Sequence, residues 1–139
     1  MSLYVLDTDT LVLYEEGNER VSRRVSLRPP YELATTAITV EEELSGWYTL
    51  VRRAKDRKQL ARAYERLVDA VRLCARFHIL SFTEPAIGRF QFLKGLKLGV
   101  KHNDLRIAAI VIEHGGTLVT RNARDFRDIP GLPIADWSL

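Results

Sequence analysis

The residues best able to do chemistry in this chain are carboxylates that arrive from distant stretches. They are Asp7 in "LYVLDTD", one or more of Glu41, Glu42 and Glu43 in "TAITVEEELSG", Asp104 in "NDLRIAAI" and Asp125 in "RNARDF". Each has a bland account by itself. Asp7 or Asp9 can cap a helix starting near Leu11, Asn103 or Asp104 can cap the apolar helix after them, and the glutamates can be a solvated first turn. Brought to one place, several acids repel one another unless a cation stands between them. His78, His102, His114 and the lone Cys74 show no zinc-type spacing, and oxygen donors alone suit Mg²⁺ or Mn²⁺.

The elements that must gather these acids read as alternating strands and helices. "LYVL" (Leu3 to Leu6) is an apolar run ending abruptly at Asp7, the pattern of a buried strand. A helix over "TLVLYEEG" stops near Gly17, and another over "ERVSRRVSL" runs into Pro29-Pro30. "ELATTAI" is a second strand, with Thr39 as N-cap of the next helix. From Val40 to about Phe77 the pattern is helical, in two helices broken near Lys55-Asp56. In the second, Leu60, Tyr64, Leu67, Val71 and Cys74 share the face expected to be core, with Arg62, Arg66 and Arg76 largely off it. "HILSF" is a third strand, and "EPAIGRFQFLKGLKLG" a helix opened by Pro85 and stopped at Gly99. "NDLRIAAIVIEHGG" is an apolar helix ending at Gly115-Gly116, "TLVT" a fourth strand and "LPIAD" a short fifth. The alternation predicts one α/β domain over residues 1–139, with three α/β/α layers and a central parallel sheet of four or five strands.

In open sheets of this kind ligands bind outside the carboxyl ends of the strands. Asp7 ends the first strand, Asn122 and Asp125 come after the fourth, and Asp104 heads the helix that feeds the fourth. Asp104 shares a helix face with Ile107, Ala108 and Val111, so its carboxylate heads an apolar side. That is costly unless something satisfies it, and a helix N-terminus helps. In the helix after Thr39, Val40, Leu44, Trp47 and Val51 form the core stripe. Glu42 lies nearly opposite it, Glu41 and Glu43 flank it, and Gly46 leaves bare backbone one turn after Glu42, where another element can approach. Spacing alone does not choose among the three glutamates.

The totals exclude several classes. An apolar fraction of 46% and a charged fraction of 28% are those of a globular protein. No apolar run reaches the roughly 18 residues of a bilayer span. The start "MSLYVLDTD" has no basic n-region, so the expected compartment is the cytoplasm. A single cysteine leaves no intramolecular disulfide and no cysteine metal cluster. The net charge is only +3, but nine basic residues stand against three acidic ones between Arg52 and Arg76, so the remainder is net negative. A basic segment beside concentrated acids suits a partner carrying phosphates.

Taken in order, "VLDTDTL", "ITVEEELSGW", "NDLRIAAI" and "LVTRNARDF…IPGL" resemble the PIN-domain ribonucleases, specifically the VapC-like toxins of type II toxin–antitoxin pairs. The resemblance runs over essentially the whole chain. The family's strand-ending acid falls on Asp7. Its Thr-x-x-Glu with a glycine four residues later falls on Thr39, Glu42 and Gly46, which selects Glu42 and leaves Glu41 and Glu43 as solvated neighbours. Its third acid falls on Asp104. There are two departures. The fourth acidic position is Asn122 here, with Asp125 close enough to substitute, and Asp9 stands where many relatives carry Asn.

The resemblance implies a PIN-like fold and a metal-dependent endoribonuclease in which Asp7, Glu42 and Asp104 hold Mg²⁺ or Mn²⁺, with Asn122 completing the catalytic set. Thr8, Asp9, Thr120 and Asp125 are supporting residues, and Arg121, Arg124 and the 52–76 stretch meet RNA phosphates. It also implies a homodimer and a small VapB-like antitoxin in the active-site groove. Two other readings compete. "VLDTDTL" nearly matches the strand-end motif of haloacid-dehalogenase-like phosphatases, with Asp7 as nucleophile, but its fifth position is Leu11 and no late acidic pair with a suitable lysine is present. A PIN-like module that binds RNA or protein without cutting draws its support from Asn122.

Overall fold

The computed structural model describes residues 2–139. Its strands are β1 (Tyr4–Leu6), β2 (Leu33–Thr36), β3 (His78–Leu80), β4 (Thr117–Val119) and β5 (Ile134–Ala135). Its helices are α1 (Thr8–Glu15), α2 (Glu19–Ser26), α3 (Ala37–Arg53), α4 (Arg57–Ala75), α5 (Glu84–Gly95), α6 (His102–Glu113) and α7 (Ala123–Phe126). All strand pairs are parallel, in the order β3-β2-β1-β4-β5, so the sheet has five strands and their carboxyl ends share one edge. The chain winds from β1 to β2 and β3 on one side, then crosses to β4 and β5 on the other. The order therefore reverses between β1 and β4, the crevice where ligands bind in open α/β sheets.

Residue parity along each strand sorts the core into two layers. Val5, Ala34 and Leu118 face one side and pack with α5, α6 and Phe126. Leu6, Leu33 and Val119 face the other and pack with Leu11, Val21, Val25, Leu73, Phe77 and Trp137. The inner strands β1, β2 and β4 are largely buried on both faces, and β1 and β4 accordingly read as apolar runs, while the edge strand β3 leaves His78 and Ile79 exposed. Gly116 admits β4 beside β1: a Cβ there would stand 3.2 Å from the Leu3 carbonyl oxygen and 3.3 Å from Val5 Cγ2.

Three element boundaries differ from the sequence expectation. The second strand ends at Thr36, and Thr36, not Thr39, caps α3. Its backbone is extended (φ −117°, ψ 158°) and its Oγ1 accepts from the Thr39 N–H at 3.1 Å. Likewise α1 begins at Thr8 because Asp7 is its cap. The helix expected to run to Gly99 stops at Gly95, since Lys97 turns left-handed (φ +54°) before Gly99 (φ +73°).

The largest departure is on α4. Of the stripe expected to be core, only Cys74 is buried, and Leu60, Tyr64 and Val71 are exposed. The buried residues are Ala63, Ala70, Leu73 and Cys74, so the helix is turned to set small residues against its neighbours. In α3 nothing beyond Thr39 is buried, and the expected stripe of Val40, Leu44, Trp47 and Val51 is only half-buried. The pair α3–α4 encloses a groove of about 1000 Å³, lined by Val12, Trp47, Leu50 and Ala63 among others. Gly46 lines it too, with open space where a Cβ would stand, so no element of this chain makes the close approach expected there.

Candidate active site

Asp7 is placed by the backbone on both sides. Its N–H donates to the Val119 carbonyl at 3.0 Å, which extends the β1–β4 ladder by one residue. Its Oδ1 accepts from the Thr10 N–H at 2.9 Å, capping α1. The capping role is therefore real, and it fixes the carboxylate at the strand crevice. Only 5% of Asp7 is exposed. Burial raises its pKa above the ordinary value, hydrogen bonds from Thr120 and Thr10 oppose that, and the charge of Asp9 adds to it.

Glu42 reaches the same crevice from α3. Its Oε1 accepts from the Thr8 hydroxyl at 2.8 Å, and Asn103 Nδ2 lies 3.5 Å from its Oε2. Thr8 also stands 3.4 Å from the Thr39 hydroxyl, and Thr39 from Thr36 at 3.3 Å, so a chain of hydroxyls runs from the α3 cap to the glutamate. The other two glutamates go elsewhere. Glu41 is exposed and faces a second hollow beyond Glu42. Glu43 lines the α3–α4 groove, where burial and then the charge of Glu15 raise its pKa.

Asp104 lies in the first turn of α6. Neither it nor Asn103 caps that helix, whose N-cap is Lys101 with no side-chain cap bond. The carboxylate is thus left free for the crevice. Its pKa is pushed up to about 6, by burial first and then by the charges of Asp125 and Glu42, with Lys101 opposing and Asp7 adding. Acids from four elements bear on one another here, as like charges forced together must.

These groups line one pocket of about 400 Å³: Asp7, Thr8 and Asp9 from the β1 end, Glu42, then Lys101, Asn103 and Asp104, and Asn122 with Asp125 from the β4 end. Asn122 caps nothing with its side chain; its Nδ2 donates to Asp9 Oδ2 at 2.8 Å. The two positions that depart from the family pattern are therefore bonded to each other. Arg121 Nε stands 3.9 Å from the same Asp9 oxygen at the exposed rim. Arg124 is exposed on α7, outside the pocket lining. Thr120 is fully buried, and its Oγ1 accepts from the Asn122 N–H at 3.0 Å, which sets the loop after β4. Lys101 and Arg106 went unnoticed in the sequence: Lys101 belongs to no motif, and Arg106 lies inside "NDLRIAAI" without being one of its acids. Asn103 carried a signal, as the residue before Asp104.

The available donor atoms are oxygens: carboxylates, the Thr8 hydroxyl and the amides of Asn103 and Asn122. Among the described residues no three acids, histidines or cysteines are already drawn into a coordination cage. The mutual repulsion recorded at Asp104 is what a divalent cation relieves, so the residues present fit Mg²⁺ or Mn²⁺.

Similarities to known proteins agree with the fold. The sequence matches the PIN domain over residues 4–132. No curated protein matches it. Among solved structures, it is similar to a chain of the DNA-bound VapBC from Salmonella typhimurium, with TM-score 0.81 and 24% identity over 99% of each chain. It is similar to VapBC-1 from nontypeable Haemophilus influenzae, with TM-score 0.77 and 22% identity over 99% of each. A third is VapBC2 from Rickettsia felis bound to a promoter DNA fragment, with TM-score 0.75 and 22% identity over 97% of this chain and 98% of that one. With its five-stranded parallel sheet, its acids at the β1–β4 crevice and a family match over nearly all its length, the chain belongs to the PIN domain family.

Proposed function

We propose that residues 1–139 act as one domain, a metal-dependent endoribonuclease that serves as the toxin of a toxin–antitoxin pair. The observation that carries this reading is the convergence of Asp7, Glu42 and Asp104 on one pocket at the sheet's topological switch, with burial and the neighbouring acids raising the proton affinity of Asp104. Asp7, Glu42 and Asp104 would hold Mg²⁺ or Mn²⁺, and the bound ion supplies an activated water and charge neutralisation at the scissile phosphate. The chain's own residues prepare that site. Thr8 fixes the Glu42 carboxylate, Asp7 is held by the α1 turn, and Thr120 sets the loop that carries Asn122 and Asp125. Asp9, held by Asn122, restores a carboxylate to the side of the pocket where the resemblance leaves an uncharged amide. That pairing weakens the case for a module that binds without cutting.

Arg121 at the rim, Arg124 on α7 and the basic 52–76 stretch would meet the phosphates of the RNA. The α3–α4 groove suits an antitoxin segment with an apolar ridge. Its lining combines apolar Val12, Trp47 and Leu50 with acidic Glu15 and Glu43 and basic Arg62 and Arg66. Glu42 lines both this groove and the acid pocket, so a VapB-like peptide lying in the groove reaches the active site. The exposed apolar face of α4 suits a homodimer contact. Among the described residues no helix is long and apolar enough to cross a membrane, and the reading places the protein in the cytoplasm.

The test is cleavage of a mixed RNA pool by the purified protein with Mn²⁺, with Mg²⁺ and with chelator, beside Glu42→Gln. Cutting that needs the metal and is lost in the variant is the expected result. Cutting that survives chelator, or that Glu42→Gln leaves intact, overturns the reading.

A further inference from the structure

Beyond Glu42 from the acid pocket lies a second cavity, of about 580 Å³. Glu42 and Asn103 form a wall common to both, and the rest of the lining includes Ile38, Ser45, Phe82 and Arg106. Both cavities carry polar and apolar surface, and this one sets Ile38, Phe82 and one cation, Arg106, beside the carboxylates of Glu41 and Glu42.

Arg106 is held on two sides. Its Nη1 donates to Asn103 Oδ1 at 2.7 Å, and its guanidinium carbon lies 4.8 Å from the centroid of the Phe90 ring. Phe90 is buried, and Phe82 meets it edge-on at 6.0 Å and 73°. None of the ion pairs among the described residues uses Arg106. The guanidinium is half-buried, fixed in plane and paired with no carboxylate, so part of its hydrogen-bonding capacity is open to the cavity. The bond to Asn103 leaves the Nε and second terminal nitrogen of Arg106 uncommitted, a row of donors with no acceptor.

Single-stranded RNA is read by splaying out bases, packing them on aromatic carbon and bonding their edges. An arginine fork matches the adjacent O6 and N7 acceptors of guanine, where adenine presents an amino donor beside N7. We propose that this cavity is a nucleobase subsite flanking the scissile phosphate, in which Arg106 reads a guanine packed against Phe82 and Ile38. The inference rests on the nuclease reading for what lies in the acid pocket, and it goes further by naming a base and the residue that selects it. Asn103 is the positioning residue between the two cavities, touching Glu42 on one side and Arg106 on the other.

The experiment is Mn²⁺-dependent cleavage of a randomised RNA pool, with the ends sequenced, for the wild type, Arg106→Lys and Phe82→Leu. The wild type should enrich guanine at one nucleotide beside the cut. Arg106→Lys keeps the charge and loses the fork, so it should reduce that enrichment about tenfold while preferences at other positions stay. Phe82→Leu should reduce it less, with the same position affected. No preference beside the cut, or one that Arg106→Lys leaves untouched, overturns the proposal. If the wild type cuts no RNA at all, the nuclease reading fails separately, and titration with guanosine and cytidine 5′-monophosphates followed by NMR decides the subsite. Selective binding of the guanosine nucleotide, weakened in Arg106→Lys, upholds the subsite; equal or absent binding removes it.

Discussion

The acid pocket and the outer face of α4 are opposite cases of sidedness. At the pocket, polar groups go in: Asp7, Thr35, Thr36, Thr39 and Thr120 are buried, and no buried side-chain polar atom among the described residues lacks a partner. On α4, apolar groups go out, with Tyr64 at 52%, Val71 at 50% and Val68 at 43% exposure. Burying polar groups requires donors at fixed local offsets, such as a cap three residues on or a hydroxyl across the crevice. Exposing apolar ones requires nothing within the chain at all. The pocket is thus determined by its own sequence, and the face by whatever covers it.

Variants that remove charge from the pocket should separate these regions most sharply. Asp7→Ala, Glu42→Ala and Asp104→Ala should each lower RNA cleavage by about 100-fold or more, the scale of losing a principal electrostatic group, with circular dichroism unchanged. Asp9→Asn should come next, weakening Mn²⁺ binding by about tenfold, a loss that Asn122→Asp in the same chain restores if the two positions have exchanged roles. An unrestored double variant would make Asp9 merely the anchor of Arg121.

Proton linkage gives a third comparison. Asp104 holds its proton more tightly in the folded chain, about 6 against an ordinary 3.8. The metal-free protein should therefore lose stability as pH rises from 3.8 to about 6, and Asp104→Asn should flatten that slope in thermal melts. Mn²⁺ must displace the same proton, so its affinity should fall below about pH 6. On the other region, Tyr64→Arg and Val71→Glu should shift unfolding by within about 0.5 kcal/mol, because both residues are half exposed. The same substitutions should abolish self-association in sedimentation, and a large loss of stability instead would mean that α4 packs inward as its apolar pattern predicted.

The strand alternation was legible because most of the short strands are apolar runs, and Asp7 and Asp104 because one comes directly after a strand and the other heads an apolar helix. Even the bland and functional accounts of Asp7 were compatible, since capping α1 is what holds its carboxylate in the crevice. The choice of Glu42 came from the family pattern, and the wheel alone could not make it. What escaped was the rotation of α4. Its large residues and its small ones both repeat at helical spacing, and only the packed structure shows that Ala63, Ala70 and Cys74 are the inner set. The Thr39 cap was misplaced for a related reason: Thr36 and Thr39 are equally good cap residues, and the pairing of Thr36 with Leu80 is a long-range fact. The contact of Asn103 with Glu42 has no local signature because it arises across elements.

The most direct measurement is calorimetric titration of Mn²⁺ at pH 7 into the wild type, Glu42→Gln and Glu41→Gln. A metal site built on these acids predicts saturable binding by the wild type, binding at least about tenfold weaker in Glu42→Gln, and no change in Glu41→Gln. Equal affinity in all three proteins would contradict the claim that these acids were gathered to hold a metal.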